Sequence, residues 1–217
     1  IIYPSTLKAL TEYCLKQSII FRELKHIRTI GETLSTENRQ AASTVFNAKV
    51  EDVYSSQEVG IIALECPLSG LYHVSAENLI VEVLNEHGEP CKSSETGRLV
   101  ITDLHNFATP LIRYDIRDFA EVGPPCPCGR GSPTIKRIHG RERNLIMMPS
   151  GKKHWPLTGF MHFRDIAPIR QYQLIQETLE MIEVRLVTAR ALTADEEQKI
   201  GSVIQRALDY PFQLRFT

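Results

Sequence analysis

The chain has 217 residues, 42% of them hydrophobic, enough to bury a core for one or two domains. Its 25 Lys and Arg against 26 Asp and Glu leave a net charge of −1, which gives no electrostatic basis for binding nucleic acid or an anionic membrane. No apolar run approaches the roughly 20 residues of a membrane span, and the N-terminus lacks the basic start and long apolar core of a signal peptide. Five cysteines at irregular spacings argue against a disulfide framework and for a reducing compartment, so the cytoplasm is the expected location. Position 1 is Ile1 rather than Met, so a piece of a longer chain is expected.

In chain order, apolar side chains at Leu7, Leu10 and Cys14 predict a helix over Pro4–Gln17, with Ser5 or Thr6 as cap. A short strand follows at His26–Ile30 and ends at Gly31-Glu32. Ser35 caps a second helix through Phe46, and Val50–Tyr54 reads as a strand leading into Ser55 and Glu58. This helix–strand–helix–strand order predicts α/β structure with parallel strands, whose ligands sit beyond the carboxyl ends of the strands. From residue 61 the pattern turns to strands: Ile61–Leu64, Leu71–Val74, Leu79–Leu84, Arg98–Thr102, Leu111–Tyr114, Phe119–Val122 and Thr134–Ile138. Glu86 to Glu89 reads as a hairpin turn, and a mostly antiparallel, barrel-like subdomain is expected. Further on come a helical run at Leu157–Phe163, strands at Ile169–Gln176 and Met181–Thr188, and a helix capped by Thr193 with Glu196 three residues later. Gln213–Phe216 is a last strand.

Two groups of residues carry chemistry. Arg113, Arg117, Arg130, Arg137, Arg141 and Arg143 form a dense line of arginines, with Asp115 and Asp118 at the end of one strand. Guanidinium groups suit phosphate oxygens and carboxylates suit ribose hydroxyls, although surface ion pairs are the plainer reading. Cys66, His73, Cys126 and Cys128 are ligand types that zinc prefers, but their spacings are not those of a zinc finger. A structural Zn2+ site and a packed loop of free cysteines both remain open.

The segment Pro110 to Asp118, followed by Gly140-Arg141-Glu142-Arg143-Asn144, resembles the ribose-binding and hinge motifs of the adenylate-forming (acyl-CoA synthetase) superfamily. The form is closest to the phenylacetate–CoA ligase branch. Gly31-Glu32 resembles that family's adenine-flanking loop, and Tyr54-Ser55-Ser56-Gln57-Glu58 its Tyr-Gly-x-Ser/Thr-Glu segment. Four motifs in order over about 110 residues make a specific match. By resemblance, Gly31, Glu32, Tyr54, Ser55, Asp118 and Arg141 would contact the nucleotide. Glu58 would hold Mg2+, and Arg143 would occupy the hinge. Some members of the branch also hold zinc on Cys and His in this region. The sequence departs from the family at Ser55, usually Gly, at Asp115, often Arg, and at Arg143, usually Asp or Lys.

The resemblance implies an α/β core portion at 1–140, made of an α/β segment (1–60) and a β-subdomain (61–140), then a small, truncated α+β lid at 141–217. It implies part of an ATP-dependent carboxylic acid–CoA ligase, with ATP or AMP, Mg2+, CoA and a small carboxylic acid as partners. The family's phosphate-binding loop and acylating lysine are not in this sequence, so the fragment alone is expected to be inactive. A non-catalytic zinc-held module, an enzyme loading a carrier protein or amine, and a homodimer are the alternatives left open.

Overall fold

A computed structural model describes residues 1–141, 145–154 and 163–217. The chain divides into two compact units, Ile1–Glu142 and Arg143–Thr217. Among the described residues no helix is long and apolar enough to cross a membrane.

The first unit opens with α1 (Pro4–Gln17), β1 (His26–Ile30), α2 (Thr36–Phe46) and β2 (Lys49–Ser56). Pro4 begins α1, where its missing N–H costs nothing. The predicted caps Ser5 and Thr6 lie inside the helix. The cap comes instead from Glu32, whose carboxylate accepts from Ser5 N at 2.8 Å and Ser5 Oγ at 2.9 Å. Ser35 does cap α2, its Oγ accepting from Asn38 N. Leu7, Cys14, Ile27, Ala42, Phe46 and Val50 form the core under these helices. β1 and β2 are parallel, with Ile30 opposite Val53, so Gly31 and Tyr54 lie together at the carboxyl ends.

The remaining strands are β3 (Gly60–Glu65), β4 (Tyr72–Val74), β5 (Leu79–Leu84), β6 (Thr96–Asp103), β7 (Tyr114–Val122) and β8 (Thr134–Arg141). All eight strands form one sheet in the order β1-β2-β3-β4-β8-β7-β6-β5, antiparallel apart from β1–β2. The α/β segment and the β-subdomain therefore share a sheet rather than standing apart.

Three expectations are corrected here. Leu111 to Arg113 is loop, because Arg113 takes a left-handed backbone (φ 48°) and the strand starts at Tyr114. Asp115 and Asp118 lie inside β7 instead of ending a strand. Arg141, expected to open the lid, is the last residue of β8, paired with Asp118. The turn at Glu86–Glu89 is present, with Asn85 Oδ1 accepting from His87 N and Glu89 N, and β6, expected from Arg98, begins at Thr96.

The second unit holds β9 (Ile146–Met147), β10 (Lys153–His154), α3 (Phe163–Ile166), β11 (Ile169–Gln176), β12 (Met181–Thr188), α4 (Ala194–Leu208) and β13 (Gln213–Phe216). The first two strands form a hairpin that the sequence pattern did not suggest. β11 pairs antiparallel with β12, and β12 parallel with β13 across α4. Thr193 and Glu196 make the expected capping box, and Ile200, Ile204 and Leu208 bury the apolar stripe of α4 against Ile182 and Val184. Most of the helical run expected at Leu157–Phe163 lies outside the described residues.

Close strand packing leaves its own signature at Gly97 in β6. A β-carbon there would sit 2.3 Å from Leu84 O and 2.7 Å from Cys91 Sγ, whereas one on Gly131 would meet nothing. Gly97→Ala is expected to lower stability by about 1–3 kcal/mol, the usual cost of overpacking, with Gly131→Ala near neutral. Urea unfolding of both variants would measure the difference.

Candidate nucleotide site and metal cluster

Tyr54 points from β2 onto the same face as Asp52, two residues earlier, and joins the core of Ile62, Leu99, Ile101 and Ile116. Its hydroxyl donates to Asp118 Oδ2 at 2.6 Å. β2 and β7 are four strands apart in the sheet order, about 19 Å if the sheet were flat. One tyrosine cannot span that, so the sheet curls until β2 and β7 face each other. The expected barrel-like curvature is therefore present. Among the described residues the backbone pairings still run as an open series, and a side-chain bond joins across the gap.

Asp118 owes its aim to a bulge. Arg98 pairs with Phe119 and Val100 with Asp115, so three residues of β7 face Leu99 alone. Arg117 sits at the centre of the bulge with φ 61°, a conformation costing roughly 1–2 kcal/mol for a residue other than Gly. Asp115 steadies it: Oδ1 accepts from Arg117 N at 2.9 Å and Oδ2 pairs with Arg98 at 2.9 Å. The bulge turns Asp118 inward, leaving it 8% exposed.

Around this pair lie two further charges. Arg141 Nε is 3.9 Å from Asp118 Oδ1, and its side chain is about half exposed. Glu58, in the β2–β3 turn, is exposed and close enough to Tyr54, Asp118 and Arg141 to act on them electrostatically. Its backbone N–H and the Ser56 hydroxyl hold its carboxyl below the ordinary value, so Glu58 is ionised. Burial, reinforced by the Asp118 charge, pushes the Tyr54 phenol far up and keeps it a neutral donor. Burial also raises the Asp118 carboxyl, while the Tyr54 bond and Arg141 restrain that rise.

Tyr54, Glu58, Asp118 and Arg141 are thus brought together, with Ser55 half-buried beside them at an irregularity in the β2–β3 pairing. Gly31 follows the end of β1, next to Tyr54 in register. The Glu32 carboxylate is occupied in capping α1. Arg143 lies outside the described residues.

A buried polar group escaped the sequence reading. Asp52 accepts from Thr29 Oγ1 at 2.5 Å and from Tyr72 OH at 2.9 Å. Its N–H donates to Glu65 Oε2 at 2.7 Å, and Arg39 pairs with the same oxygen at 2.9 Å. An aspartate set between Val50 and Val53 was the one available hint. This network fixes β2 just upstream of Tyr54.

Cys66, His73, Cys126 and Cys128 also converge, their ligand atoms all within 4.8 Å of one another. Cys66 and His73 come from the β3–β4 hairpin, closed by Cys66 N to Leu71 O at 2.7 Å, and the other two from the loop before β8. The Cys126 and Cys66 sulfurs are 3.7 Å apart. Two thiolates on a tetrahedral zinc with bonds of about 2.3 Å would stand about 3.8 Å apart, whereas a disulfide needs about 2.05 Å. Cys128 Sγ lies 3.2 Å from His73 Nε2. The Ser69 hydroxyl, first among several hydrogen bonds, holds the Cys66 thiol down at about 5, in the form that binds metal. The donor set and spacing fit a closed four-ligand metal site.

The sequence matches no protein-family model and no curated protein. Among solved structures, 2-hydroxyisobutyryl-CoA ligase in the postadenylation state with R3-HIB-AMP matches 99% of this chain at a TM-score of 0.76 and 18% identity. This chain has the fold of the adenylate-forming enzymes. The anthranilate CoA ligase AuaEII, in complex with anthranoyl-AMP, matches 100% of it (TM-score 0.68, 13% identity), as does the amide bond synthetase McbA from Marinactinospora thermotolerans (0.68, 14%). These matches cover 50%, 45% and 47% of the respective proteins, so the chain spans about half the length of its adenylate-forming neighbours.

The Tyr54–Asp118 bond is open to a direct test. Burial raises the Asp118 carboxyl above the unfolded value of about 3.9, so the folded state keeps its proton to higher pH than the unfolded chain. Its contribution to stability is therefore present below that value and is lost as pH rises through the folded value. Tyr54→Phe removes a bond that opposes the rise. The variant should titrate Asp118 still higher, by carbon-detected NMR, and lose about 1–3 kcal/mol of stability at neutral pH. An unchanged Asp118 titration would mean that the hydroxyl does not hold the carboxylate.

Proposed function

We propose that the chain is the C-terminal portion of an ATP-dependent carboxylic acid–CoA ligase resembling the phenylacetate–CoA ligases. The observation that carries this reading is the grouping of Tyr54, Glu58, Asp118 and Arg141 at one end of a curled sheet. In this reading Asp118 accepts hydrogen bonds from the ribose hydroxyls. It has the capacity, since Tyr54 uses Oδ2 and a carboxylate offers about four acceptor sites. Arg141, half exposed beside it, meets the phosphate side of the nucleotide. Gly31 and Ser55 line the approach to the base, and Glu32 acts on that loop through its cap on α1 rather than by direct contact.

The ionised Glu58 is the residue that would hold Mg2+, which when bound to substrate phosphates offsets their charge. The neighbours support the reaction class: the 2-hydroxyisobutyryl-CoA ligase has been seen in complex with 2-HIB-AMP and CoA. Residues 143–217 would act as a lid turning about Arg143, a conformational step that separates adenylation from thiol attack. The free cysteines suit the cytoplasm.

Cys66, His73, Cys126 and Cys128 would hold Zn2+. With three thiolates, one imidazole and no open position, such an ion is structural: it would tie the β3–β4 hairpin to the loop before β8. The same cluster favours one second reading, in which the fold is a zinc-held module without catalytic activity.

Calorimetric titration with ATP and Mg2+ distinguishes the two. The wild-type chain should bind nucleotide weakly and Asp118→Ala should abolish it. No binding by the wild type would favour the module. The 217 residues should release no pyrophosphate with aryl acids; release would show that the fragment is itself active.

A further inference from the structure

The metal cluster has a partner outside its four ligands. Ser132 Oγ lies 3.0 Å from His73 Nδ1, the ring nitrogen away from Cys128. A neutral imidazole carries one proton, and the group facing one nitrogen decides which form the other takes. His73 can offer Nε2 to a metal only as a lone pair. Nδ1 must then carry the proton and donate it to the Ser132 oxygen.

The position of that oxygen is set by backbone pairing. His73 pairs with Thr134 across β4 and β8, and Val74 N donates to Pro133 O at 2.9 Å, so the chain immediately after the hydroxyl is pinned to the strand that bears the ligand. His73 itself is 5% exposed, so its ring has little access to bulk water.

We propose that Ser132 is a positioning residue for a thiolate–imidazole metal site, fixing the tautomer and ring plane of His73 so that Nε2 joins the three sulfurs. The inference rests on the zinc reading above. Partners of this kind commonly set metal affinity by about 10- to 100-fold.

Zinc competition against a chromophoric chelator tests it on the whole chain. The wild type should take up one Zn2+ per chain. Ser132→Ala should keep one site but bind about 10- to 100-fold more weakly, and Ser132→Thr, which retains the hydroxyl, should recover most of the affinity. The metal-free wild type and Ser132→Ala should melt at the same temperature. Equal zinc affinity in wild type and Ser132→Ala would overturn the proposal. So would a lower metal-free melting temperature in Ser132→Ala that accounts for the whole loss, since Ser132 would then serve the loop and not the ligand. Absence of zinc uptake by the wild type would instead remove the metal reading on which the proposal stands.

Discussion

A hydrogen bond from Tyr54 to Asp118 joins two strands that the sheet order holds four steps apart. The backbone ladder alone allows an open, twisted sheet. This bond requires a curled one, and the curl brings Glu58 and Arg141 to the same place. Both partners are buried, so breaking the bond would strand a phenol and a carboxylate away from water, a cost above that of an ordinary surface contact.

The rest of the first unit supports that constraint. The bulge around Arg117 supplies the inward turn of Asp118, and Asp115 with Arg98 stabilises a backbone conformation that a side-chain-bearing residue resists. On the other side, Thr29 and Tyr72 clamp Asp52, and the carboxylate of Glu65 takes an N–H of β2 where the β2–β3 ladder ends. Glu65 and Tyr72 immediately precede Cys66 and His73. The strands that lead to Cys66 and His73, two of the candidate metal ligands, therefore also carry the side chains that fix β2.

Local patterning was well marked in the sequence. Helix α1, the alternation of β1, the strands at Ile169 and Met181 and the Thr193–Glu196 box are all set by neighbours a few residues apart, and each stands where its periodicity predicts. The motif residues were also legible as candidates. What the pattern could not carry was long-range geometry. β7 looked like two strands because Asp115, Arg117 and Asp118 interrupt its apolar alternation, and only the pairing with β6 shows them to be a bulge. Tyr54 was readable as an aromatic face, but its hydroxyl's partner 64 residues away depends on sheet curvature. Glu32 was readable as a loop acid, but not as the cap of a helix 27 residues earlier. The cysteines and His73 had unhelpful spacings because two separate loops supply them, and spacing rules describe ligands that share one local turn.

Asp118 serves as a fastening as well as a candidate receptor. The aspartate and its tyrosine would be needed to keep the sheet curled whether or not a nucleotide binds there. The presence of the pair therefore speaks to architecture, and the exposed Glu58 and Arg141 are the side chains that speak to chemistry.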